Sequence, residues 1–464
     1  MASYKQTLLA VFSTLTIGLL HAQNNTNSPY AYSGIGETEY GYMIHNKALG
    51  GVASSVFSNN RYNLVNPATL GFIDKTIIDF GFKIEKGTLS TGSAHRDFNN
   101  GNFNYFSLAF RTLNFKTRHK TDTLFNADQS IKKIRKSENL FSWVAGVSIS
   151  PYSNIGGDFQ QKHDTSFASS LILHNASGDL TSVGFNNGFK IGEYASLGYT
   201  LSFIWGQVNK NKLVTFPDSQ NITTIQDLKF TEYNGFEHKF GLGFNIPIQN
   251  KSIVSAGMSY RLSHYLNTTQ TRVVRSSDYN IQGVLVPLDT ILFTEGNRSS
   301  SQIPSFMSVG LTYTLKEKFS IGGEYSFQDW SSVIGKGWTD EFAKYSRISI
   351  GLTINPESKP TLSMHNPEIY VGFTSAKLSA VYHNAAGKIE PIKETGISFG
   401  IGLPIVRDVF TMDGKREKYK SMLYLSGEYL KRGEITDGRI REDLFRISVG
   451  LSLTDLWFIK RKYR

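Results

Sequence analysis

The chain has 464 residues, a net charge of +11, 13% aromatic residues, 42 glycines and no cysteine. The missing cysteine excludes a disulfide framework and any thiolate metal site. The basic residues gather in separate clusters, Lys116 to Lys136, Lys415 to Lys420 and Lys460 to Arg464, and not in one stripe with interleaved aromatics, which argues against nucleic acid and for solvated turns or contacts with anionic lipid and lipopolysaccharide.

At the N-terminus, Lys5 precedes an apolar run from Leu8 to Leu20, and then come His21, Ala22 and Gln23. A charged start, a short hydrophobic stretch and a small residue at the cut site predict a signal peptide over 1–22, cleaved after Ala22. The alternative is a retained anchor, but the run is short for a helix that needs about 20 apolar residues to span a bilayer. Nothing later in the chain has that length of apolar sequence, although a β-barrel shows no such run because only alternate residues face lipid.

Residues 23–75 do not alternate and are punctuated by Gly34, Gly36, Gly41, Gly50 and Gly51. Their apolar content (Tyr30, Tyr32, Ile35, Met43, Leu49, Val52, Leu64, Leu70) argues against a floppy leader. It predicts a segment housed inside a barrel, where irregular backbone at membrane depth is tolerated.

From residue 76 onward, apolar and small polar residues alternate again and again. Ile78, Phe80, Phe82 and Ile84 alternate with Asp79, Gly81 and Lys83. Similar runs surround Trp143 to Ile149, Leu197 to Trp205 (broken by Ile204), Met307 to Leu315, Ile348 to Ile354, Ile397 to Leu403 and Phe445 to Leu453. Period-two patterning of this extent predicts an all-β, mostly antiparallel architecture of about fourteen strands. The expected strands are 76–86, 103–115, 140–150, 182–191, 195–207, 235–247, 252–266, 304–315, 319–329, 342–354, 366–376, 394–404, 420–431 and 443–454. The polar faces are rich in Gly, Ser and Thr, which suits a crowded lumen better than a solvent-facing sheet. The last strand is expected to close the barrel against Ile78 to Ile84.

Connection lengths support a membrane-spanning barrel. Tight turns at Gly192-Glu193-Tyr194, Gln249-Asn250-Lys251 and Lys316-Glu317-Lys318 follow even-numbered strands; the long connections 154–181, 208–234, 267–303 and 377–393 follow odd ones. That is the periplasmic–extracellular asymmetry of bacterial outer-membrane barrels. The basic connection 116–139 is long on the side that should be short, so it is either an insertion or a missed strand pair; 405–419 is a milder case. A soluble β-sandwich or propeller is the rival fold.

Two motifs precede the first strand: Asn46-Lys47-Ala48-Leu49-Gly50-Gly51 and Asn63-Leu64-Val65-Asn66-Pro67-Ala68-Thr69-Leu70. Together with Pro304 to Trp330 and Gly400-Ile401-Gly402-Leu403-Pro404, they resemble the outer-membrane long-chain fatty acid transporter family. Ser28-Pro29-Tyr30 and the ending Trp457 to Tyr463 look like its Bacteroidetes-type branch of hydrophobic-compound transport barrels. The resemblance implies an N-terminal hatch (23–75) plugging a fourteen-stranded barrel (76–464) in the bacterial outer membrane. It implies uptake of hydrophobic or amphiphilic small molecules such as long-chain fatty acids, by loop capture, a hatch shift and lateral release. Some members of the family are instead non-transport scaffolds or carriers in protein secretion and surface attachment. The implied partners are a hydrophobic ligand, outer-membrane lipid and lipopolysaccharide, and the barrel-assembly machinery, with no nucleic acid.

Candidate residues follow from this reading. Asn66, Pro67 and Ala68 make a rigid turn suited to a hatch gate, or a plain turn into the first strand. Sideways release needs a broken ladder, and Pro151, Gly156 and Gly157 are the candidates, against an ordinary strand end. Asp79, Lys83, Glu85, Lys190, Glu324, Arg347, Glu428 and Arg446 are lumen charges that either hold the hatch or simply wet the interior. No His-Glu-x-x-His or Gly-x-Ser-x-Gly motif occurs, so no catalytic residue, metal ligand or cofactor is expected. A barrel lipase is the enzymatic alternative.

Overall fold

The computed structural model describes residues 26–455, apart from Ser93 and residues 126–130, 165–168, 218–222, 249–250, 281, 317, 356–366, 384–386, 411–415 and 436–438. The expected signal peptide (1–22) and the aromatic tail from Trp457 to Tyr463 lie outside the described residues.

Fourteen antiparallel strands form one closed ring. They are β1 (Thr76–Ser90), β2 (His95–Phe125), β3 (Ile131–Asp164), β4 (Ser169–Ile191), β5 (Ala195–Thr215), β6 (Thr224–Ile248) and β7 (Ser252–Arg261, continued by His264–Tyr279). The second half comprises β8 (Leu285–Ile303, continued by Phe306–Leu315), β9 (Phe319–Asp329), β10 (Lys344–Ile354), β11 (Glu368–His383), β12 (Ile389–Phe410), β13 (Arg416–Arg432) and β14 (Arg441–Asp455). Each pairs with its sequence neighbours, and β14 closes on β1 with Ile447 opposite Ile84 and Leu453 opposite Ile78. Closure removes the free edges that a flat sheet would expose.

Each of the fourteen expected strands overlaps an observed one, with β10 and β11 beginning two residues later than expected, but the long connections were misjudged. Most of 154–181, 208–234, 267–303 and 377–393 is strand. Above the membrane the outward face no longer has to be apolar, so the ladder continues while the alternation fades. The offending connection 116–139 is an insertion, made of paired strand and adding no new strands: β2 and β3 run on into it, from Lys116 opposite Asn139 to Phe125 opposite Ile131.

The outward row is apolar and exposed (Phe203, Phe240, Leu311, Ile348, Phe399, Val449), as a lipid-facing wall requires. The interior is filled by residues 26–75. This inner segment contains a 3₁₀ turn at Pro29–Ala31, a two-residue strand at Glu37–Thr38, the short helix α1 (Ile44–Ala48) and a 3₁₀ stretch at Pro67–Phe72. Two apolar clusters fill the lumen. One gathers Met43, Ile44, Leu49, Tyr62 and Leu70 of the inner segment against Tyr105, Tyr370 and Tyr424 of the wall. The other gathers Ile35, Tyr152, Ile155, Leu180, Ile204, Leu266, Trp330, Trp338 and Phe342. Ile204 breaks the alternation of β5 because it joins this second cluster and is fully buried.

Candidate functional site in the barrel lumen

The inner segment is tied to the wall along its length by close backbone approach and by charge. Asn66 begins the 3₁₀ stretch: its Oδ1 accepts from the Ala68 N–H at 3.0 Å. Its Nδ2 donates to the Ser54 carbonyl at 2.8 Å and to the Leu242 carbonyl of β6 at 2.9 Å. Asn66 therefore caps a turn, binds the segment to itself and binds it to the barrel. The 3₁₀ stretch lies over three glycines in register on β4, β5 and β6: Leu70 and Gly71 over Gly188, and Pro67 and Ala68 over Gly198 and Gly241. A methyl group at Gly198 would stand 2.1 Å from the Ala68 nitrogen, and one at Gly241 would stand 2.2 Å from Asn66 Oδ1. Only glycine permits this approach.

The lumen charges make specific contacts. Glu324 accepts from the Ala53 and Ser54 N–H groups, both at 2.6 Å, and from Ser308 Oγ at 2.7 Å. Arg347 donates to the Gly50 carbonyl at 2.6 Å and covers the Tyr42 ring at 4.7 Å. Arg446 pairs with Glu85 and lies 3.7 Å from Glu37. Glu428 lies opposite Arg446 in the register and is buried, with Oε2 unpaired. Lys83 pairs with Glu39 at 2.5 Å.

The strongest anchor was missed in the sequence. Arg432, at the end of β13 and 3% exposed, forks onto both carboxylate oxygens of Glu37, with Nη1 to Oε2 at 2.9 Å, and also bonds Glu394. A two-pronged guanidinium–carboxylate contact is among the strongest polar contacts available to a protein. Burial works against the Glu37 carboxylate, but Arg432 and Arg446 outweigh it and hold its carboxyl down to about 2. Arg61 and Lys420 likewise converge on Glu368 at the opposite end, Lys420 at 2.8 Å. No local pattern reveals these pairs, because Glu37 and Arg432 are 395 residues apart. The one available signal was the pair of acids, Glu37 and Glu39, in a segment whose only other acid is Asp74.

Pro151, Gly156 and Gly157 lie where the ladder changes partner. Between β2 and β3 pairing runs from Phe125–Ile131 up to Phe106–Ile149 and stops there. The strand does not end at residue 150, as the spacing predicted; β3 continues to Asp164. Above Ile149 it keeps β4 on one side, with a bulge between Pro151 and Ser153. On its other side it takes the inner segment: Thr38 pairs with Ser153, Glu37 pairs with Asn154, and the Glu39 N–H donates to the Tyr152 carbonyl at 2.9 Å. β2 turns away at a matching bulge between Phe103 and Tyr105. The Thr26 carbonyl rests on Gly156, where a Cβ would stand 1.7 Å away, and Asn27 Nδ2 bonds Asn100 Oδ1 of β2 at 3.0 Å. Arg96 of β2 reaches Asp158 of β3 at 3.0 Å across the interruption.

The space left inside is small and polar. One cavity of about 100 Å³ is lined by Glu37, Tyr42, Arg347, Glu428, Arg432 and Arg446. Another, of about 40 Å³, lies beside Tyr152, Glu237, Lys239 and Arg261. Pockets that enclose small organic ligands measure about 300–1,000 Å³ and are mostly apolar. A larger apolar hollow, about 630 Å³, lies on the lipid-facing wall over Phe373, Phe399 and Tyr429. Among the described residues no group of three or more His, Asp or Glu is placed to hold a metal ion.

The geometry has solved counterparts. The CymD monoaromatic hydrocarbon channel superposes with a TM-score of 0.54 at 12% identity, over 93% of this chain and 100% of that one. The toluene transporter TodX of Pseudomonas putida gives 0.51 at 14% identity, over 91% and 99%. A Pseudomonas aeruginosa FadL homologue gives 0.52 at 12% identity, over 91% and 99%. The fold is thus that of these channels, a closed barrel with an apolar outward wall. No curated protein matches. The sequence itself is matched over residues 4–118 and 114–464, nearly its whole length, by the family model described as BamG, and the chain belongs to the BamG family.

Proposed function

We propose that this chain is a closed outer-membrane barrel that serves as a structural partner of the barrel-assembly machinery, with which the BamG family name associates it. The observation that carries the reading is the filled lumen. The inner segment is held by Arg432, Glu324, Arg347 and Asn66, and the two cavities described beside it measure about 100 and 40 Å³. A transport route would have to break several buried charge contacts at once, and removing one partner of such a contact costs about 3–5 kcal/mol. The test is purification of the tagged full-length protein in mild detergent. Stoichiometric recovery of assembly subunits, with reduced levels of other barrels on depletion, is expected. Purification alone, with barrel levels unchanged, would overturn the reading.

A second reading has its own observation. The fold of the hydrocarbon channels, together with the β2–β3 ladder interruption at Pro151, Gly156 and Gly157, supports uptake of hydrophobic molecules such as long-chain fatty acids. In it residues 23–75 are a hatch, Asn66, Pro67 and Ala68 its gate, and the interruption a lateral exit under the lipopolysaccharide leaflet. Bound amphiphiles in mass spectra after mild extraction, and an uptake defect on deletion, would favour it; neither result would leave it without support.

A further inference from the structure

The hairpin that offended the short-turn rule has a use. β1 follows β2 downward only to Ile77 opposite Ala109, and β4 follows β3 only to Ile191 opposite Phe141. Past those points the strands Lys116–Phe125 and Ile131–Asn139 pair with each other and, among the described residues, with nothing else. They leave the barrel at the end that carries the tight turn Gly192-Glu193-Tyr194, which is the periplasmic end of an outer-membrane barrel. Ten residues of strand at about 3.3 Å each give an arm of roughly 30 Å.

The two strands hold seven basic residues (Lys116, Arg118, Lys120, Lys132, Lys133, Arg135, Lys136) against Asp122 and Glu138. That is nearly half of the chain's net charge of +11, in nineteen residues. The register sets Lys120 opposite Lys136 and Arg118 opposite Glu138, so the two acids leave most of the positive charge unbalanced along the ladder. A two-stranded ribbon without a third strand is marginal in water. An arm of this composition gains stability from an acidic surface laid against it.

We propose that the hairpin of residues 116–125 and 131–139 is a periplasmic docking arm for the acidic surface of a partner protein. Length decides between a protein and lipid headgroups. A headgroup layer is only about 5–8 Å deep on each side of the hydrocarbon core. An arm of roughly 30 Å reaches well past it. The proposal extends the assembly reading and rests on it only for the partner's identity.

The test places a photo-crosslinking amino acid at Thr121 or Thr123 of the full-length protein in living cells. A matching chain also carries K132E, K133E, R135E and K136E. The expected result is a crosslink to one periplasmic protein through a peptide rich in Asp and Glu, falling about tenfold in the reversed chain, since mutated interface charges change association strongly. Heat-modifiable migration on a gel should be unchanged. If the reversed chain fails to assemble, the four-glutamine version (K132Q, K133Q, R135Q, K136Q) takes its place, with a smaller expected fall. No crosslink, a crosslink to lipid alone, or one that survives reversal would overturn the docking arm. A crosslink to a protein outside the assembly machinery would keep the arm and sink the assembly reading. Copurified assembly subunits without a crosslink would do the reverse.

Discussion

The two halves of β3 behave as different structures. Between Phe141 and Ile149 the strand has β2 and β4 on its two sides, Val147 and Ile149 face outward, and Ser148 is buried between them. Above Pro151 it loses β2, and every residue from Tyr152 to Gly157 is buried. Side chains on a half-buried strand alternate, so a run of six buried residues means that both faces are covered. The cover is the protein itself: the inner segment on the free edge, and Leu180, Ile204 and Trp338 in the cluster that receives Tyr152 and Ile155. The comparison shows that a closed barrel can carry a gap in its ladder without exposing an edge, if another part of the chain is held there firmly.

The firmness of that hold can be broken most severely at Arg432. Arg432→Ala leaves the buried Glu394 without its guanidinium and the half-buried Glu37 with only the more distant Arg446, a loss of about 3–5 kcal/mol. The expected result is release of residues 26–39 from upper β3, read as labelling of a cysteine placed at Asn27, in a chain with no other cysteine. The lower half of β3 should be unaffected. Mild acid should not imitate the variant. The Glu37 carboxyl is held down to about 2. Its contribution to stability is therefore present above the ordinary carboxylate range and lost only as pH falls through about 2. Labelling at pH 5 should equal labelling at pH 7, and a rise there would show that Glu37 is not the holding group.

Gly156→Leu attacks the same place by size. Its Cβ would stand 1.7 Å from the Thr26 carbonyl, which is backbone and cannot swing aside. Overpacking of this kind costs about 1–3 kcal/mol. The expected outcome is displacement of the first residues of the inner segment, again read by labelling at Asn27→Cys, with heat-modifiable migration retained. Gly427→Ala is the control: nothing lies within 4 Å of the added carbon. A Gly156→Leu protein indistinguishable from the control would mean that the segment does not rest on upper β3.

How much of this was legible follows the same division. Lower β3 and its counterparts were readable because lipid imposes an apolar outward row, which appears in the sequence as period two. Closure of β14 on β1 was readable for the same reason. Upper β3 was not: Pro151, Gly156 and Gly157 could be read as a broken ladder or as an ordinary strand end, since nothing in a sequence announces that a strand is about to be covered on both faces. Ile204 was the overlooked clue, an inward apolar residue in an otherwise regular strand. The lumen charges could be placed on a face by parity, but their partners could not, because the inner segment meets the wall across hundreds of residues. The Asn-Pro-Ala trio was visible as a turn; its footing on Gly198 and Gly241 depends on cross-strand register, which the sequence does not state.

Asn66→Ala is a milder probe, aimed at the lower lumen. It removes the cap to Ala68 and leaves the Leu242 and Ser54 carbonyls short of a donor. Caps of this kind are worth about 0.5–2 kcal/mol. A modest fall in the temperature of heat modification is expected, with Asn27→Cys labelling unchanged because the upper anchors remain. Increased labelling would mean that the inner segment moves as one body and that the two halves are not held separately.

The smallest effect belongs to the pair that spans the interruption from outside. Arg96 and Asp158 meet at 3.0 Å, yet their side chains are 62% and 44% exposed. An exposed pair of this kind contributes about 0–1 kcal/mol, and salt screens it further. Arg96→Ala should therefore leave Asn27→Cys labelling and thermal behaviour unchanged within error. If upper β3 were instead closed by contacts between strands, this variant would open it as widely as Arg432→Ala does. Equal labelling in the two variants would shift the seal from the inner segment to the wall, and with it the explanation for why Tyr152 to Gly157 are buried on both faces.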